Sequence, residues 1–152
     1  MAAPILIFGI GNDPRGDDAL APMLVRRLQT ENTKQVEFIE EYQLQVEHVT
    51  DLARREVVLF IDADVSCEAP FHFSKIEAAH DHSYSSHAMS PFALLHAYRQ
   101  FHGEEAPPTY LLRIRGYGFE LGDGLSREAA VNLEQAAKKL KGWLTDIQPA
   151  QE

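Results

Sequence analysis

Two aspartates in tandem, a third at the end of an apolar run and one loop histidine are the residues of this sequence most able to do chemistry. Asp17 and Asp18 close the stretch Gly9-Ile10-Gly11-Asn12-Asp13-Pro14-Arg15-Gly16, just ahead of a helical pattern. Negative charge is favoured at a helix N-terminus, and one aspartate of the pair can serve as its cap. Spacing assigns the cap to Asp17 and leaves Asp18 free, although the reverse assignment also fits. Asp62 directly ends Glu56-Val57-Val58-Leu59-Phe60-Ile61. A carboxylate where burial is ending is costly to leave unpaired, so it should bind a donor or a cation. An Asx turn is the plain alternative, and Asp64, further out, is expected to be solvated. His87 lies in Ser85-Ser86-His87-Ala88-Met89-Ser90-Pro91. A single loop histidine is usually exposed, as His80 and His82 are expected to be. Two carboxylates and an imidazole converging from separate loops would instead make a divalent-metal site with open positions. Cys67, the only cysteine, has no evident partner to lower its pKa, so a thiol nucleophile is unsupported.

Elements of two periodicities must position these residues. Ile5-Leu6-Ile7-Phe8 is a short apolar run suited to a strand buried on both faces. It turns at Gly9 to Asn12 into a helix with Leu20, Met23, Leu24 and Leu28 on one stripe, Pro22 lying in its first turn. Gln35 to Glu40 predicts a second strand and Gln43 to Arg55 a helix. Glu56 to Ile61 predicts a central strand and Phe71 to Ile76 an edge strand. Ser90-Pro91 starts a helix whose face carries Phe92, Leu95, Tyr98 and Phe101, and Gly103 stops it. A strand from Tyr110 to Ile114 follows. The Gly116–Gly124 loop then leads to Ser126, which caps a last helix with Leu133, Ala137, Leu140, Leu144 and Ile147 as its stripe. Alternating strands and helices over residues 1–152 imply a single α/β domain: a three-layer sandwich around a mostly parallel sheet of about five strands. In such sheets functional loops gather beyond the carboxyl ends of the strands. The loop after the first strand, Asp62 and the loop carrying His87 all belong there.

Composition narrows the classes. The 152 residues carry 14 Lys+Arg against 23 Asp+Glu, a formal net charge of −9, which disfavours nucleic acid as a partner. No apolar run reaches the roughly 20 residues of a membrane span, so membrane insertion is not expected. Met1-Ala2-Ala3-Pro4 leads straight into the first strand rather than into a secretory signal. The lone cysteine suits a reducing cytoplasm. Gly9-Ile10-Gly11 after a strand invites a dinucleotide reading. Pro14 stands where the third glycine is needed, and two aspartates at the helix start would repel a pyrophosphate.

Together these blocks resemble the hydrogenase maturation endopeptidases, which trim the C-terminus of the [NiFe]-hydrogenase large subunit. Gly9-Ile10-Gly11-Asn12 with Gly16-Asp17-Asp18 is similar to the first block of the family, and Phe60-Ile61-Asp62-Ala63 to the second. Ser86-His87 with Ser90-Pro91 is similar to the third, and the segment from Gly116 to Ser126 to the loop before the family's last helix. The resemblance runs from Ile5 to about Leu144, and departs at Ala19 and Ala21, where the family more often has glycine. It implies that Asp18, Asp62 and His87 are both the catalytic and the metal-contacting residues. It implies as partner a large-subunit precursor whose own nickel, or a substitute divalent ion, is gripped before cleavage. A non-catalytic nickel-site carrier or assembly chaperone would use the same three residues. A peptidyl-tRNA hydrolase shares the Gly-x-Gly-Asn turn, but it should follow that turn with a histidine motif and carry a basic surface, and this chain has neither.

Overall fold

The computed structural model describes residues 3–30, 33–80 and 89–148. Five strands form one mixed sheet: β1 (Ile5–Ile10), β2 (Val36–Glu41), β3 (Val57–Asp64), β4 (Phe71–Ile76) and β5 (Thr109–Arg115), ordered β2-β1-β3-β5-β4. Every pairing is parallel except β4 with β5. β4 is therefore an edge strand, as its imperfect alternation predicts, and β2 is the other edge.

The sheet is buried on both faces because its central strands are apolar on both. Ile5 and Ile7 of β1, Leu59 and Ile61 of β3, and Leu112 and Ile114 of β5 point to one side. There they meet α1 (Leu20–Leu28) and α4 (Arg127–Ile147). Leu6 and Phe8, Val58 and Phe60, and Leu111 point to the other, against α2 (Val49–Leu52) and α3 (Pro91–His102). Three layers result, with a core on each side of the sheet. Among the described residues no helix is long and apolar enough to cross a membrane.

Local signals set several boundaries as expected. Ser90 caps α3 by accepting from the Ala93 amide at 3.0 Å, with Pro91 in the first turn, and Gly103 ends it in the left-handed region at φ 71°. Ser126 caps α4 in the same way through Ala129. Other boundaries moved. The helix expected over Gln43 to Arg55 shrinks to a 3₁₀ turn, Val46–His48, followed by α2. Leu44 is drawn instead into a bridge with Met89, and Gln45 is extended. Ala53 and Arg54 (φ 66°) leave helical geometry, and the buried Arg55 side chain ties to Asp51 O, Ala3 O and Glu37. Phe101 also departs from its expected face and is 70% exposed. The buried stripe of α3 runs through Leu94, Leu95 and Tyr98, which turns Phe101 outward.

Candidate active site

Asp62 does not terminate its strand. β3 continues two residues to Asp64, so the alternation Val58, Phe60, Asp62 carries the carboxylate onto the face that α3 covers further back. Parallel pairing then sets Asp62 between Ile10, the last residue of β1, and Arg113 of β5. One carboxylate oxygen accepts from the Ala63 amide at 2.8 Å. Burial pushes the Asp62 pKa up to about 8; the neighbouring charges of Asp18 and, more weakly, Asp64 add to this, while the Ala63 hydrogen bond opposes it.

Asp18 reaches the same place from the other layer. It sits in a 3₁₀ turn, Gly16–Ala19, that runs directly into α1, and its Oδ2 accepts from the Asn12 amide at 2.8 Å. Burial raises its pKa against the opposing effects of that bond and of Arg15. Asp18 and Asp62 both line a cleft of about 240 Å³, with Ile10, Tyr42, Leu44, Met89 and Pro91 around them. Chain order explains the location. From β1 the chain winds outward to β2, and from β3 it winds to the opposite edge. The gap between β1 and β3 is thus the switch point at which α/β sheets open a crevice.

Asp17 is not the helix cap that its spacing predicts. It caps neither the 3₁₀ turn nor α1, whose flanking positions are Arg15 and Ala19 and lack side-chain caps. Its fully buried carboxylate instead accepts from the amides of Tyr117 (2.7 Å), Gly118 (3.2 Å) and Ser126 (2.7 Å) and from the Ser126 hydroxyl (2.8 Å). Burial alone would raise its pKa, yet these bonds outweigh that and hold it below the usual carboxylate range. Three backbone bonds extend the clamp: Asp17 N to Gly118 O, Gly16 N to Asp123 O and Gly122 N to Pro14 O. The turn bearing Asp18 is thereby zipped to the loop before α4.

The paired glycines of the first block have a steric explanation rather than a phosphate-binding one. A Cβ at Gly11 would run into the Asp18 carbonyl oxygen and lie 3.1 Å from Pro22 Cδ. Gly16 adopts φ 58° with its Cα against the Gly118 carbonyl. Gly11 lets the aspartate-bearing turn lie directly on the end of β1, and Gly16 lets it lie against the loop before α4.

His87 lies outside the described residues. Met89, two positions on, hydrogen-bonds through its amide to Leu44 O at 3.3 Å and lines the cleft shared by the two aspartates. Among the described residues no three side chains of metal-ligating type are grouped closely enough to hold an ion. The described part of the site is thus a carboxylate pair.

Asp64 is not solvated, contrary to expectation. It accepts from Arg113 at 2.9 Å and from both the amide and the hydroxyl of Ser66 at 2.7 Å. Burial opposes but does not cancel these bonds, and its pKa is lowered. Cys67 is buried, and burial, followed by the charge of Asp64, raises its thiol pKa. Both effects oppose thiolate formation, so nothing in the structure supports a nucleophilic role.

The three-layer α/β fold, with its sheet of order 2-1-3-5-4, is shared with solved hydrogenase maturation endopeptidases. The chain is similar to the hydrogenase maturating endopeptidase HybD from E. coli, with TM-score 0.74 and 23% identity over 96% of this chain and 93% of that one. It is also similar to the [NiFe] hydrogenase maturation protease HycI from Thermococcus kodakarensis, with TM-score 0.71 and 22% identity over 94% and 93%. A hydrogenase 2 maturation peptidase from a Thaumarchaeota archaeon gives 0.65 and 21% over 92% and 97%. No protein-family profile and no curated protein sequence matches the chain.

Proposed function

We propose that this protein is a cytoplasmic endopeptidase that removes the C-terminal extension of a [NiFe]-hydrogenase large-subunit precursor once nickel has been inserted. The observation that carries the reading is the pair Asp18 and Asp62 facing one cleft at the switch point. The fold supports it, since the similar structures are hydrogenase maturation proteases along nearly their whole length.

In this reading the metal arrives with the substrate. Asp18, Asp62 and His87 grip the precursor's nickel, which accepts both oxygen and nitrogen donors, and hold the scissile peptide over the cleft. The two carboxyls are suited to it. Burial and mutual repulsion leave Asp62 protonated at neutral pH, so the empty site avoids two adjacent uncompensated charges. An arriving cation displaces that proton and draws both carboxylates onto itself. Water activated by the metal or by one of the carboxylates then attacks the scissile carbonyl, and a proton passes to the leaving amine.

Incubating the purified protein with nickel-loaded and nickel-free precursor, and weighing the precursor by mass spectrometry, tests this. Shortening of the nickel-loaded form alone is expected. Equal shortening of both would remove the nickel-reading step. A bound but full-length precursor would make the protein a carrier.

A further inference from the structure

A second cleft, of about 500 Å³, adjoins the first and shares with it Asp62 and Pro91. Among the described residues, α3 begins at Pro91 and no other helix covers the carboxyl-terminal part of this sheet face. The floor of this second cleft is made by alternate residues of three strands: Asp62 and Asp64 of β3, Leu111 and Arg113 of β5, and Ser74 of β4. Phe92 and Phe119 form its walls. The two clefts together make one groove running across the strand ends on both sides of Asp62.

Among the described residues, Arg113 is the one arginine or lysine in the lining of the larger cleft. It is 36% exposed, and among the described residues Nη1 alone is engaged, on Asp64. Asp64 is itself held by two bonds from Ser66, so it fixes one edge of the guanidinium. Among the described residues the rest of that rigid fork has no partner where Arg113 lines the cleft, and such a fork matches a planar carboxylate in two parallel bonds. Anchored on one side and open on the other, Arg113 is pre-organised to receive an anion without losing side-chain freedom on binding.

We propose that the larger cleft is a carboxylate subsite for an extended peptide lying across Asp62, with Arg113 as its specificity-determining residue. The inference rests on the endopeptidase reading and adds to it a preference within the substrate. The carboxylate is either the free C-terminus of the tail to be removed or an acidic side chain within it.

Three acetylated alanine hexapeptides separate the possibilities: one with a free C-terminal carboxylate, one amidated, and one amidated with a central glutamate. Binding is followed through the Arg113 Nε–H resonance of the full chain. A saturable shift is expected with at least one charged peptide, about tenfold tighter than the neutral one. Which charged peptide binds identifies the source of the carboxylate. Arg113→Gln should abolish the discrimination, and Arg113→Lys should restore part of it. Equal binding of all three peptides by the wild type, or no shift at Arg113, would overturn the proposal without reliance on any variant. Cleavage of precursor by the same samples keeps the two readings apart. Normal cleavage without carboxylate discrimination sinks the subsite alone; discrimination without cleavage sinks the endopeptidase reading alone.

Discussion

The buried carboxylate of Asp17 accepts both the amide and the hydroxyl of Ser126, the residue that caps α4, at 2.7 and 2.8 Å. One side chain thus joins the first loop of the chain to its last helix and sets the turn on which Asp18 stands. Asp17→Ala would remove the acceptor shared by the part-buried amide bonds of Tyr117, Gly118 and Ser126. At roughly 1.5–3 kcal/mol for hydrogen bonds to a charged group, a loss of about 2–3 kcal/mol is expected in urea unfolding. Ser126→Ala, which removes one hydroxyl bond and a cap, should cost about 1 kcal/mol.

The same carboxylate makes the fold sensitive to acid. Its pKa in the folded state is below the ordinary value of 3.8, so the folded form binds fewer protons than the unfolded one as pH falls. The stabilisation is fully present above pH 3.8 and is lost as pH drops through the folded-state pKa. Unfolding free energy measured against pH should therefore slope less steeply on the acid side in Asp17→Asn than in the wild type.

Asp62 has the opposite sign. With the folded pKa near 8 and the ordinary value 3.8, the folded state holds a proton that the unfolded state has released across this window. Stability should therefore fall as pH rises from about 4 to 8. Asp62→Asn, of equal size and uncharged, should match the wild type near pH 4 and exceed it at pH 8 by at least about 1 kcal/mol. Equal pH profiles for the two proteins would mean that Asp62 is not desolvated.

Activity should separate from stability at the site. Asp62→Ala and His87→Ala are expected to lower precursor processing by at least about 100-fold. Their melting temperatures should not fall by more than the equivalent of about 0.5 kcal/mol. Cys67→Ala should process precursor normally, and the native thiol should react slowly with a thiol reagent, because its pKa is raised by burial.

Two glycine replacements probe the close approach of loop to strand. Gly11→Ala would push against the Asp18 carbonyl and is expected to cost about 1–3 kcal/mol while reducing processing. Gly142→Ala, in α4 with nothing within 4 Å of its added Cβ, should raise stability by about 1 kcal/mol and leave processing unchanged. Thermal melts and the precursor assay check both.

Local rules made much of this protein legible from its amino-acid order. The apolar runs of β1 and β3, the serine caps at Ser90 and Ser126 and the stop at Gly103 act within a few residues of themselves, so order and type of elements could be read directly. Because an α/β alternation sends its loops to the carboxyl ends of the strands, residue order alone assigns Asp18 and Asp62 to one edge. Tertiary structure alone decided what Asp17 binds: the partner that claims it is Ser126, on the loop before the last helix and remote in sequence. It also decided that Leu44 leaves a helix to pair with Met89, and that Asp64 turns from solvent to Arg113. Each of these outcomes depends on a hydrogen-bond partner brought close by sheet order, and distance along the chain carries no record of that proximity.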